Sequence, residues 1–90
     1  RDSLALRRAS TSGHEQVVDE LLNDGRANPA AERNYAIIWA SAEGHLRVVQ
    51  RLMADKRVDP TAVANGALSL AIQNDHPDVA SELLKDKRVR

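Results

Sequence analysis

Ninety residues suffice for one domain and leave no room for a separate catalytic one. Thirteen basic side chains balance thirteen acidic ones, so the cationic excess that nucleic-acid phosphates or anionic membranes require is missing, and no apolar run is long enough to span a bilayer. The absence of cysteine excludes a disulfide framework and a thiolate metal site, leaves stability to helix packing, and fits a reducing compartment inside the cell, cytoplasm or nucleus. Residues 1–15 carry Arg1, Arg7 and Arg8 without an apolar stretch behind them, which is no signal peptide. An opening Arg1 in place of Met makes the chain an expected fragment of something longer.

The first predicted helix covers 4–12, with Ala5, Leu6 and Ala9 on one face and Ser3 ahead of it as an expected N-cap. Ser12-Gly13 interrupts it, since glycine accepts the positive φ of a helix stop. A second helix over 14–24 carries Val17, Val18, Leu21 and Leu22, a stripe wide enough to pack on its own partner and on a neighbouring unit. The loop 25–33 contains Pro29, which forbids helix continuation. A third helix, 35–43, follows Asn34 with Ala36, Ile37 and Ala40, and stops at Glu43-Gly44. The fourth, 45–54, repeats the wide stripe as Val48, Val49, Leu52 and Met53, and Pro60 marks the loop 56–64. The fifth, 66–74, follows Asn65 with Ala67, Leu68 and Ala71, and breaks at Asn74-Asp75. The sixth, 76–86, has Pro77 in its first turn, where a missing N–H costs little, and Val79, Ala80, Leu83 and Leu84 on its stripe.

These elements are one unit written three times. His14, His45 and His76 stand 31 residues apart, as do Ala9, Ala40 and Ala71; Leu21, Leu52 and Leu83; Asp24, Asp55 and Asp86; and Arg26, Arg57 and Arg88. A gapless period of this size means a stacked solenoid. The expected fold is therefore all-α, three antiparallel helix pairs joined by long loops, in one domain over 1–90 with repeats near 3–33, 34–64 and 65–90. Ala40, Val49, Leu52 and Met53 are expected to be the most buried group, because the middle repeat alone has neighbours on both sides.

Gly44-His45-Leu46-Arg47-Val48-Val49-Gln50-Arg51-Leu52-Met53 resembles the G-H-x-x-V-V-x-x-L-L segment of ankyrin repeats. Gly13 to Leu22 matches it too, and Asp75 to Leu84 matches with Asp for Gly. The family's T-P-L-H entry is replaced by Leu4-Ala5-Leu6-Arg7 and its counterparts, and the period is 31 instead of ~33, so irregular loops are expected where a β-hairpin is usual. Tetratricopeptide repeats need a Trp-Leu-Gly-Tyr type of first helix that this chain lacks. The ankyrin resemblance implies an ankyrin-like solenoid that binds another protein through its inner helices and loop tips. The residues so placed are Arg8, Thr11, Tyr35, Ile38, Trp39, Ala42, Glu43 and Gln73 on the inner face, with Glu32, Arg33 and Val63 at the loops.

No enzyme is expected. Ser10 and Ser41 sit at small-residue packing positions without an oriented base, and no glycine-rich phosphate loop is present. Stacked helices set equivalent histidines ~8–10 Å apart, too far for one metal ion, so each is read as stapling its turn. Neither cofactor, metal nor small-molecule substrate is expected. Arg7-Arg8 reads as a solvated face, and each Asp–Arg pair two residues apart as a loop brace. Arg51 is expected between Glu20 and Glu82, its counterparts of opposite sign, with Arg47 and Asp78 repeating the pattern a turn earlier. Trp39 either fills the seam against the third repeat, where Leu70 is its counterpart, or faces a partner. The third repeat keeps Leu68, Leu70, Ile72, Val79, Leu83 and Leu84, so end-to-end stacking of further copies of the chain is the alternative to a binding module.

Overall fold

The 31-residue period becomes three helix pairs in the computed structural model, which describes residues 2–89. The pairs are α1 (Asp2–Ser12) with α2 (Glu15–Asp24), α3 (Ala31–Ala42) with α4 (Leu46–Met53), and α5 (Ala62–Gln73) with α6 (Pro77–Leu84). No strand occurs among the described residues. The odd-numbered helices stack into an inner layer and the even-numbered ones into an outer layer, spanning 30 × 21 × 18 Å. The expected all-α solenoid is what forms.

Each pair turns tightly because its first helix ends in a left-handed residue. Gly13 and Gly44 have φ of +77° and Asp75 has +63°. Beyond each, the histidine N–H donates back to a carbonyl five residues earlier: His14 to Ala9 (2.9 Å), His45 to Ala40 (2.9 Å) and His76 to Ala71 (2.7 Å). This six-to-one bond is the Schellman stop, which satisfies carbonyls that a helix end would otherwise leave bare.

The loops between pairs are irregular, as expected. The side chains of Asn28 and Asp59 accept from the N–H two residues on, folding the chain around Pro29 and Pro60, both fully buried. Next come three consecutive left-handed residues, which sequence reading does not anticipate: Glu32, Arg33 and Asn34, then Val63, Ala64 and Asn65, with φ between +54° and +63°. Right-handed helix therefore resumes at Tyr35 and Gly66, at the predicted starts. The expected N-caps do another job. Ser3 Oγ accepts from Asn28 N (2.9 Å) and Asn34 Oδ1 from Asp59 N (2.8 Å), so each holds the loop 25 residues further on. The position 25 residues beyond Asn65 is Arg90, which lies outside the described residues.

The core runs the length of the stack. Leu6, Val18, Ile37, Ala40, Val49, Leu52, Ala67, Ala71, Val79 and Leu83 are completely buried. Met53 departs from expectation by packing only half-buried at the rim, while Ile37 takes the deep place beside Ala40.

Candidate interaction surface

The inner layer carries the aromatic residues. Tyr35 and Trp39, one helical turn apart, lie with ring centroids 5.7 Å apart and planes tilted by 40°. The Arg7 guanidinium sits 4.6 Å from the Tyr35 centroid, a cation–π contact, and lies 3.9 Å from Glu32. Arg7 is thus a positioned residue joining two repeats, which corrects its reading as a solvated charge. A cross-repeat comparison could have found it: Leu4 is the counterpart of Tyr35, and Arg7 stands one turn beyond Leu4.

Trp39 keeps 36% of its surface exposed. Arg8, Glu43 and Gln73 are exposed around it, Tyr35 is half-buried, and half-buried Thr11 donates its hydroxyl to the Arg7 carbonyl (2.9 Å). At the loops Glu32, Arg33 and Val63 are exposed. Two residues expected on this face are not on it. Ile38 and Ala42 are buried, 8% and 3% exposed, because α5 covers them; the Ala42 carbonyl accepts from Asn74 Nδ2 of the next repeat (2.9 Å). A helical wheel drawn for α3 alone cannot show this, since it omits the neighbouring helix.

His45 and His76 each staple their repeat to the preceding one rather than only their own turn. His45 Nε2 lies 3.0 Å from the Thr11 carbonyl, which can only accept, so Nε2 bears the proton. Its ring packs on Gly13, and the His76 ring packs on Gly44 in the same way.

The Asp–Arg braces form in every repeat. Arg26, Arg57 and Arg88 donate to Asp24, Asp55 and Asp86. The last two arginines then reach back to the preceding loop: Arg57 Nη1 to the Ala27 carbonyl (3.2 Å) and Arg88 Nη1 to the Val58 carbonyl (3.5 Å). The side-chain bond from Arg57 holds the Asp55 carboxyl below the usual carboxylate range, and its partner acid raises the guanidinium in each repeat. The Thr61 hydroxyl lowers Asp59 similarly.

The outer charges pair one residue away from the expected register. Arg51 donates to Asp19 (2.6 Å) and to Asn23 (3.1 Å), and Arg47 lies 3.8 Å from Glu15. Glu82 instead accepts from Gln50 and Lys85, and Asp78 accepts from the Val79 N–H. Equivalent positions on parallel stacked helices point the same way, so a side chain aimed at the neighbouring helix meets a different position on it. The partner acid therefore stands 32 residues back, in place of 31.

A family model described as "Ankyrin repeats (3 copies)" matches residues 4–90. No curated protein and no solved structure matches the chain.

Proposed function

The chain belongs to the ankyrin-repeat family, and we propose that it is a non-catalytic module that docks a protein partner on its inner face, centred on Trp39. Repeats of this family are in general protein–protein interaction modules. One observation carries the choice of surface: Trp39 is held by Tyr35, itself held by Arg7, yet remains 36% exposed on a helix whose Ile37 and Ile38 are buried. A large aromatic side chain kept in one place loses little freedom on binding, which is why such residues dominate binding energies.

Arg8, Thr11, Tyr35, Glu43 and Gln73 supply the polar surround, and Glu32, Arg33 and Val63 extend it to the loop tips. Ile38 and Ala42 contribute from beneath as the packed floor. No helix of the described residues is long and apolar enough to cross a membrane.

The test is selection of binders from a displayed protein library against the folded chain, followed by comparison with Trp39→Ala. Binders to the inner face lose at least tenfold in affinity, ~1.4 kcal/mol, while helical circular dichroism and melting stay close to wild type. Binders that ignore the change, or a variant that unfolds, would remove Trp39 from the surface and return it to the core.

A further inference from the structure

One row of the inner layer crosses all three repeats. Arg8, Trp39 and Leu70 stand 31 residues apart on α1, α3 and α5, and equivalent positions on parallel helices point the same way. Trp39 stays 36% exposed although its repeat has a neighbour on each side, so the row is open at its most crowded place. Arg8 is exposed, and its guanidinium has neither a hydrogen-bond nor an ion-pair partner among the described residues; Leu70 is half-buried. Arg7, Arg8, Thr11 and Tyr35 line one shallow depression at the first repeat. The row thus offers an unpaired cation, an aromatic ring and an aliphatic side chain, in that order.

Beside the row, the third repeat leaves a place empty. Where α1 and α3 carry Leu4 and Tyr35, one turn before the row, α5 has Gly66. The backbone does not require glycine there, since Gly66 is not left-handed. Packing does not require it either: the nearest atom to a Cβ added at Gly66 is Ile38 Cδ1 at 3.6 Å, an ordinary contact. The missing side chain leaves a shallow seat next to Leu70.

The spacing of the row selects the shape of its ligand. Helices packed on one another lie ~8–10 Å apart. Polyproline II returns to the same side every third residue and rises ~3.1 Å per residue, a step of about 9.3 Å. A β-strand returns to one face every ~6.6–6.8 Å, which is too short. An α-helix takes seven residues for a step of ~10.5 Å and drifts ~20° around its axis at each. We infer that the partner is a proline-rich segment in polyproline II form, with a carboxylate side chain on Arg8 and apolar side chains three and six residues away on Trp39 and Leu70. This rests on the inner face being the docking surface. Aromatic-lined grooves suit such segments, which lose little freedom on binding. The acid belongs at Arg8 because that cation has no acid of its own, while Glu43, one turn beyond Trp39, repels a carboxylate placed in the middle of the row.

Trp39 is the sole tryptophan, so its emission reports occupancy of the row. The probes are the capped peptide Glu-Pro-Pro-Leu-Pro-Pro-Leu and its reverse. One of the two saturates the emission change with a Kd below about 1 mM. Exchanging its Glu for Gln weakens it about fivefold, the scale of an exposed ion pair, and moving the first Leu by one place weakens it as well. Arg8→Ala weakens the Glu peptide about fivefold and the Gln peptide not at all, a difference that fades at high salt. Gly66→Leu fills the seat and lowers affinity for both; Gly66→Ala, whose Cβ meets only ordinary contacts, keeps the fold and shows a smaller loss. The inference is overturned if neither peptide binds, or if the Gln or displaced-Leu form binds equally well. Full affinity in folded Arg8→Ala, or in both folded Gly66 variants, overturns it too. So does tighter binding of a helical peptide with the same side chains seven residues apart. Each of these results leaves the docking surface in place while library-selected binders still need Trp39; binders that ignore Trp39→Ala remove the surface itself.

Discussion

The junction between the first and second repeats and that between the second and third bury equivalent apolar side chains, but their polar contacts differ. The first has Arg47 near Glu15, Arg51 on Asp19 and Asn23, and His45 on the Thr11 carbonyl. The second has neutral donors at the matching places, Gln50 to Glu82 and Asn74 to the Ala42 carbonyl, besides Arg88 on the Val58 carbonyl. Yet Val48 and Val79, and likewise Leu52 and Leu83, are equally buried. Burying a Val or Leu side chain contributes roughly 1.5–3 kcal/mol, while an exposed ion pair contributes roughly 0.2–1. The difference teaches that apolar burial builds the stack, and that charges adjust it.

The largest effect expected is that of Leu52→Ala, which opens a cavity where the two junctions meet. It should cost roughly 2–5 kcal/mol in urea unfolding; a loss below ~1 kcal/mol, the scale of a surface change, would mean the middle repeat is not the shared support. Gly13→Ala and Gly44→Ala should each cost roughly 2–4 kcal/mol, from the left-handed backbone and from the ring packed against it. The two costs should agree, and a clear inequality would show that the polar contacts do shape the junctions. Val63→Gly should have the opposite sign, raising stability by roughly 0.5–1 kcal/mol because a branched residue is released from φ +55° at a position 55% exposed. A loss of stability there would disprove the left-handed turn.

Smaller effects separate the junctions. Arg51→Ala should cost at most ~1 kcal/mol, and the cost should shrink as salt is raised; Gln50→Ala should show no salt dependence. Melting curves at low and high salt check both. Finally, Asp55 has its carboxyl lowered in the folded chain, chiefly by the Arg57 hydrogen bond. The unfolded state then binds the proton more readily, so this contribution is present above the ordinary Asp value of about 3.9 and is lost as pH falls below it. Asp55→Asn should lower stability at neutral pH by less than ~1 kcal/mol and flatten the decline toward about pH 3. An unchanged pH profile would detach the brace from stability.

The fold was readable because its signal is repeated. Three copies of a helix stop, of a two-residue stripe and of an Asp–Arg pair fix helix order, pairing and loop braces without any structure. What stayed hidden depends on geometry that one unit cannot express. Glu32-Arg33-Asn34 and Val63-Ala64-Asn65 contain no glycine, so nothing in their composition announces left-handed backbone. The Arg51 partner was misplaced by one residue because equal spacing in sequence was taken for facing position in space, whereas equivalent positions on parallel helices point the same way. Of the proposed surface, the place of Trp39 and its neighbours on the inner helices came from the family resemblance, and the partial exposure of Trp39 came from the structure. The burial of Ile38 and Ala42 was not legible, since it is decided by α5.

The central position of α3 and α4 has a further consequence for how the chain opens. In the ninety-residue chain taken by itself, an outer unit unlatches by losing one interface, while the middle unit must lose two. Amide hydrogens around Ala40, Val49 and Leu52 should therefore exchange last, and those of α1, α2, α5 and α6 earlier, through fraying from both ends. Trp39 rides on the unit that opens last. A partner bound there would meet a surface that stays formed even while the flanking repeats breathe.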